Sequence, residues 1–308
     1  MCEENQTRVT QIHIIAFQSL QKYRSPLFIV FLLTYLFILV GNLLIIVLVT
    51  IIDHLQTPMY FFLKHLSIAD VLGTTTVVPV MLNIIFAAEG ILPFWGCFLQ
   101  MSLFSICGFV QCFLIAVMSY DRYLAICHPL RYSSLMGPEL CLRLVIGSWL
   151  IIVVITSSEI FVIIRLEYCG LDYIDHFFCD FGPIVNLATS DISMLLLQDI
   201  VYSIFTFFFP FSLTFVTYIC IFITILKISS AQRRKAFSTC SSHLVTVFAY
   251  YGTLIIVYIV PSVGITSHIN KYISLLYLTV TPLMNPIIYS LRNHEMKRAA
   301  QKMIILIF

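Results

Sequence analysis

The sequence predicts an all-α membrane protein, a bundle of seven transmembrane helices in a single domain spanning 1–308. Three observations carry that prediction. The chain is 60% hydrophobic and only 10% charged, far too little charge to cover the surface of a soluble domain of this length. Its apolar residues fall into seven long runs, each near the roughly 20 residues that a helix needs to cross a bilayer core of about 30 Å. The cations are distributed unevenly between alternate loops.

The runs cover approximately Pro26–Ile52, Pro58–Ala87, Phe94–Ile126, Cys141–Ile164, Leu197–Ile228, Ala236–Pro261 and Tyr272–Leu291. The first 22 residues are polar and lack the apolar core of a cleavable signal peptide, so the first run is expected to act as its own insertion signal. Pro210, Pro261, Pro282 and Pro286 fall within or at the ends of runs, where neighbouring helices can satisfy the carbonyls a proline frees. The tail Asn293–Phe308 sets Lys297, Arg298 and Lys302 beside Met303, Ile304 and Leu306, a pattern suited to a short amphipathic helix on the membrane surface.

Seven crossings put the termini on opposite sides, and charge chooses the side. With the N-terminus outside, Lys64, Arg122, Arg131, Arg143, Lys227, Arg233, Arg234, Lys235, Arg292, Lys297, Arg298 and Lys302 lie on or near the cytoplasmic face. Arg8, Lys22, Arg24, Arg165 and Lys271 lie outside. That bias matches the positive-inside rule. Asn5-Gln6-Thr7, the one Asn-x-Ser/Thr site in the chain, then falls outside, where Asn5 can be glycosylated.

Motifs occur at matching depths. Gly41-Asn42 stands in the first run, and Pro58-Met59-Tyr60-Phe61-Phe62-Leu63 opens the second, followed by Leu66-Ser67-Ile68-Ala69-Asp70. The third closes with Met118-Ser119-Tyr120-Asp121-Arg122-Tyr123-Leu124-Ala125-Ile126-Cys127-His128-Pro129-Leu130-Arg131-Tyr132. The sixth begins Lys235-Ala236-Phe237-Ser238-Thr239-Cys240, and the seventh carries Pro282-Leu283-Met284-Asn285-Pro286-Ile287-Ile288-Tyr289. In this order the motifs resemble the olfactory receptor family of rhodopsin-like G protein-coupled receptors, and the wording around Lys235 is similar to its tetrapod-type branch. The resemblance covers nearly the whole chain.

Several expectations follow from the resemblance. Cys97 and Cys179 are expected to form the family's bridging disulfide. A small volatile odorant is the implied ligand and a stimulatory, olfactory-type G protein the implied partner, with cyclic AMP as the output and the cilia of olfactory neurons as the place. Asp121, Arg122 and Tyr123 would form the coupling switch, with the Asp121–Arg122 pair at the inner mouth. Asp70, Asn42, Asn285, Pro286 and Tyr289 would form a polar relay above them. This chain also departs from the pattern. Gln111 replaces a common acid in the third span, which leaves Asp70 without an acidic partner there. Thr189 replaces the third loop cysteine, which leaves Cys169 without its usual partner.

The ligand pocket comes from helical spacing. Steps of three and four outward from Arg122 reach Gly108, then Phe104 and Ser105, with Phe109 beside them. Tyr251, Leu254, Ile255 and Tyr258 occupy a similar level on the sixth run, Tyr202 and Thr206 on the fifth, and Leu278 on the seventh. The set describes an apolar, aromatic cavity with a few hydroxyls. No lysine stands mid-seventh span for a Schiff base, and no acid stands at the outer third span to pair an amine. The expected ligand is therefore neutral and mostly apolar.

The ten cysteines show no metal-binding spacing, and His176 and Asp180 would lose the Cys179 thiolate to the disulfide. No metal, other cofactor or nucleic acid is expected, and no nucleophile–base pair suggests an enzyme. Two other readings remain open at this point. One is a receptor of the same fold for an internal metabolite, and the other is a transporter or channel, for which the sequence offers no paired, internally symmetric helix breaks.

Overall fold

A computed structural model describes residues 9–16, 22–87, 89–170, 172–258, 267–292, 295–299 and 301. Its helices are α1 (Arg24–Ile51), α2 (Pro58–Ala87), α3 (Phe94–Cys127), α4 (Pro129–Leu135), α5 (Pro138–Ile163), α6 (Phe181–Val185), α7 (Ser193–Ser203), α8 (Phe209–Lys227), α9 (Ser230–Tyr258) and α10 (Ser267–Arg292). Three short strands, β1 (Gln11–Ile14), β2 (Gly90–Pro93) and β3 (Tyr173–Ile174), lie between them in sequence.

Among the described residues, five spans are long and apolar enough to cross a membrane: α1, α2, α3, α5 and the continuous stretch Ser193–Lys227 made by α7 and α8. Helix α9 contributes a shorter apolar stretch, His243–Ile256, and α10 completes seven. The expected ends agree with the helices to within a few residues. The largest shift is at α9, which begins six residues earlier in its basic, polar segment.

Exposure shows which solvent the bundle is built for. Along α1, Val30, Leu33, Phe37, Val40, Leu43 and Val47 recur at helical spacing and are exposed, Leu33 by 61%. Asn42 on the same helix is 0% exposed and Asp70 on α2 only 1%. Apolar side chains outside and polar ones inside suit lipid and would aggregate in water.

α3 runs through the middle of the bundle, against α2, α5, α8 and α9, while α1 closes the circle between α2 and α10. Between α7 and α8 the chain widens into a π-helical turn, Ile204–Phe208, directly before Pro210. A proline ring clashes with the carbonyl four residues back, and a wider turn is one way to accommodate it. Thr206 and Thr214 bond the carbonyls of Tyr202 and Pro210 at 3.0 and 2.9 Å.

The seam of α1 and α10 has a specific cause. Pro286 has no N–H, so the carbonyl of Pro282 one turn earlier loses its helical donor. Asn42 supplies one, its Nδ2 donating to Pro282 O at 3.1 Å. Gly41 lets the helices come this close, because a Cβ there would lie 2.6 Å from Cβ of Pro286.

The sheet caps one end of the bundle in the order β2-β1-β3, with β1 antiparallel to β2 and parallel to β3. Ile12 and Ile14 face inward and are fully buried. His13 faces the rim, where Nδ1 lies 2.7 Å from Glu89 Oε1 and Nε2 lies 3.8 Å from Asp172 Oδ2. The hydrogen bond with Glu89 raises the imidazole above its ordinary pKa of 6.5. A raised folded-state value means that the pair contributes fully below the unfolded pKa and is lost as pH rises through the folded one. Between about pH 6 and 8 the melting temperature of the purified receptor is expected to fall more than that of His13→Ala. Parallel pH profiles would remove this contribution.

Candidate functional site

At the sheet end, the loop after α5 plugs the bundle. Cys97 at the start of α3 is bonded to Cys179 in this loop, with Cα atoms 5.4 Å apart. Gln100, one turn further along α3, accepts the Cys179 N–H at 3.0 Å and donates to the Thr76 carbonyl of α2 at 3.0 Å. Phe177 and Phe178 are driven fully into the bundle. Lys271 of α10 reaches across to Asp175 at 2.6 Å. His176 is buried beside them, with Nδ1 3.1 Å from the Phe178 carbonyl, and burial pushes its pKa below the ordinary value. It is neutral near pH 7.

Below this plug is a small cavity, lined on α3 by Phe104, Cys107, Gly108 and Gln111, on α2 by Asp70, Gly73 and Thr74, and on α10 by Tyr277, Leu278, Thr281 and Pro282. Phe104 forms its roof, its ring edge-on to Phe178 at 5.0 Å and to Tyr277 at 5.7 Å. Gly108 forms a wall. A Cβ there would collide with the Tyr277 hydroxyl, and its carbonyl accepts a 2.6 Å bond from Tyr250.

Of the pocket residues expected from spacing, Phe104, Gly108 and Leu278 line this cavity. Ser105 is half-buried on α3, and Phe109 packs half-buried against the inner apolar cluster. Tyr251 and Leu254 are buried in the same cluster, with Tyr251 edge-on to Phe211 at 5.0 Å. Ile255 is 37% exposed. Thr206 spends its hydroxyl on its own helix, and Tyr202 turns to Ser158 of α5 at 2.8 Å. The side chain of Tyr258 lies outside the described residues. Spacing missed Tyr250, Cys107 and Tyr277, although Tyr250 and Tyr277 are sequence neighbours of the expected Tyr251 and Leu278.

The cavity floor is polar. Asp70 accepts from Asn285 Nδ2 at 2.6 Å and from Gln111 Nε2 at 3.1 Å. The α3 position that lacks an acid therefore still reaches Asp70, as an amide donor. Asn42 joins through the Pro282 carbonyl, so α1, α2, α3 and α10 share one hydrogen-bonded unit. Asp70→Ala strands two buried amides, each worth about 1–3 kcal/mol when left unpaired. A fall in the melting temperature is expected, larger than for Asp70→Asn, which keeps an acceptor. Equal melting curves for Asp70→Ala and the parent would show that the unit carries no stability.

At the opposite end, Asp121 and Arg122 close α3. The expected Asp121–Arg122 pairing is not how the carboxylate is satisfied. Tyr132 of α4 donates to Asp121 Oδ1 at 2.8 Å, while Arg122 Nε is buried with no hydrogen-bond partner among the described residues. Tyr123 meets His128 Nε2 at 3.0 Å. Next to this mouth Tyr218 of α8 bonds and stacks on His243 of α9. The Tyr289 side chain, the side chains of Arg234 and Lys235, and Asn5 lie outside the described residues. Of the expected tail helix, residues 295–299 are helical. Glu295 accepts from Tyr60 at 3.2 Å, and Met296 and Ala299 are buried against the bundle.

Cys169 is disulfide-bonded, with Thr189 at the position of the third loop cysteine.

A plugged cavity at one end, a buried polar unit beneath it and an arginine at the far mouth, all within a seven-helix lipid-facing bundle, describe a multi-pass membrane protein, and comparison with known proteins makes it a receptor. The model of the olfactory receptor family matches residues 31–306. The chain is 43% identical over 302 residues to olfactory receptor 10A7 of Homo sapiens, covering 98% of this chain and 96% of that one. It is 44% identical over 300 residues to olfactory receptor 5G26 of Mus musculus, with 97% and 94% covered. It is 43% identical over 300 residues to olfactory receptor 11L1 of Homo sapiens, with 97% and 93% covered. The chain belongs to the olfactory receptor family.

Proposed function

We propose that a neutral, mostly apolar odorant enters at the sheet end and binds in the cavity beneath Phe178, against Phe104, Gly108, Tyr277 and Leu278. The observation that carries this reading is continuity. The lining that would meet the ligand also contains Asp70 and Gln111, and these tie the cavity to Asn285 and onward to α1. A ligand that prefers one arrangement of that unit shifts an existing population of states. The end of α9 then moves from α3, and Arg122 becomes available to a stimulatory G protein, raising cyclic AMP. Loop charges support an outward N-terminus with Asn5 glycosylated, in the ciliary membrane of an olfactory neuron.

The test is a cell line carrying a cyclic AMP reporter, screened with neutral volatile compounds while an N-terminal tag on intact cells measures surface delivery. Dose-dependent cyclic AMP is expected. Surface-delivered receptor that raises calcium but not cyclic AMP would overturn the coupling, and a tag that stains only permeabilised cells would overturn the orientation. Gly108→Val places two methyls where the Tyr277 hydroxyl already stands. It is expected to weaken odorant potency at least tenfold at equal surface level, and unchanged potency would move the ligand elsewhere.

A further inference from the structure

We infer that the lipid-facing groove between α3 and α5 is a second binding site. It takes a small neutral volatile compound that is dissolved in the membrane and carries one hydrogen-bonding oxygen. The site is separate from the cavity beneath Phe178 and does not depend on it.

The groove lies in the half of the bundle nearest the sheet and offers ≈ 240 Å³. That exceeds the roughly 150 Å³ of an apolar cavity able to hold benzene. Ile106 of α3 and Ile160, Phe161 and Ile164 of α5 give it an apolar lining, and among the described residues no charged side chain lines it. Phe161 is 51% exposed, so the groove opens sideways toward lipid.

Three hydroxyl side chains, Ser102, Thr156 and Ser157, interrupt this lining. A Ser or Thr inside a helix can give its proton to a carbonyl three or four residues back. Ser102 does so to Phe98 at 2.6 Å, Ser148 to Leu144 at 2.7 Å and Ser158 to Ile155 at 2.7 Å. Thr156 does not. It is 2% exposed, and its Oγ1 is buried with no hydrogen-bond partner among the described residues. A stranded hydroxyl costs free energy, and an occupant that presents a carbonyl or hydroxyl oxygen recovers it.

Depth decides which occupant fits. Thr156 stands seven residues before Ile163, the end of α5, which is roughly 10 Å along the helix axis. At that depth a bilayer lipid presents hydrocarbon, because its polar group stays in the interfacial layer, and hydrocarbon cannot pair a hydroxyl. A short molecule that partitions into the bilayer carries its oxygen down to Thr156 while its chain lies on Ile106, Ile160 and Phe161. With no charge in the lining to pair, that molecule is neutral. Its effect passes through α3. Ser102 and Ile106 lie about half a helical turn from Phe104 and Gly108, which line the inner cavity. An occupant of the groove therefore bears on the back of the inner wall and modulates odorant potency.

The experiment reconstitutes the full-length receptor in phosphatidylcholine nanodiscs and illuminates it with 3-azioctanol, an alcohol whose diazirine inserts into adjacent bonds, with and without excess 1-octanol. Mass spectrometry is expected to place saturable, octanol-suppressed labelling within 102–106 and 156–164. Thr156→Val removes the hydroxyl at nearly constant size and is expected to weaken labelling roughly two- to tenfold, while Thr156→Ser retains it. The melting temperature of Thr156→Val without probe should hold or rise, because a stranded hydroxyl is gone, so the weakened labelling is not unfolding. Ile160→Trp fills the groove and should abolish labelling there. Gly108→Val, which obstructs the inner cavity, should leave groove labelling unchanged, and this separates failure here from failure of the inner site. Labelling that grows in proportion to probe and ignores octanol would be bulk partitioning into lipid and would overturn the inference. Equal labelling in Thr156→Val and the parent, or labelling confined to the inner cavity, would overturn it as well.

Discussion

Arg122→Ala is expected to reduce odorant-driven cyclic AMP to the unstimulated level while surface delivery stays at the parent's. The reason lies in how the end of α3 is satisfied. Tyr132 occupies an oxygen of Asp121, and the Arg122 guanidinium keeps a buried Nε with no partner among the described residues. A buried donor without an acceptor costs free energy, so this end of the bundle gains by meeting one. A G protein segment that presents a carbonyl or carboxylate at the opened mouth would supply it. Hydrogen bonds to a charged group are worth about 1.5–3 kcal/mol, which corresponds to roughly 10- to 150-fold in coupling. Arg122→Lys keeps the charge but not the planar fork, and an intermediate response is expected. Stability argues the same way: removing a guanidinium whose buried Nε has no partner among the described residues is not expected to unfold the bundle, so lost signal at normal surface level reports on coupling. A full response from Arg122→Ala would remove the arginine from the mechanism.

The seven spans were legible because lipid imposes a length, and an uninterrupted apolar run of that length is hard to hide. The α1–α10 seam was legible in part. Gly41-Asn42 and Asn285-Pro286 stand out as polar or helix-breaking groups inside apolar runs, but the bond from Asn42 to the Pro282 carbonyl requires knowing which helices adjoin. The pocket was legible where a helix is regular, as on α3 at Phe104 and Gly108. It was less so on the fifth span, where the wide turn at Ile204–Phe208 advances the chain by one residue and rotates the facing side by about 100°. Counting in threes and fours cannot cross that turn, and Tyr202 meets α5 instead. The sheet left almost no signal. Its strands have two to four residues, too few for a period-two pattern, and its pairings join segments far apart in sequence.

Breaking the Cys97–Cys179 bond is expected to have the largest effect on stability. The bond closes a stretch of 82 residues, for which chain entropy predicts about 4–5 kcal/mol. In this receptor that figure is an upper bound. α3 and α5 remain inserted when the loop comes free, so the opened chain regains less freedom than an unfolded soluble one. Other contacts depend on the same anchor. The Cys179 N–H holds Gln100, which in turn holds α2, and Phe178 packs on Phe104 over the cavity. Cys97→Ser should therefore lower the melting temperature, reduce surface delivery severalfold and blunt the odorant response of whatever reaches the surface. Cys179→Ser should match it, and the double variant should be no worse than either single one, because both remove the same covalent link. If the two single losses added instead, each cysteine would be acting through its own packing, and the plug would owe its position to Phe177 and Phe178 rather than to the bond.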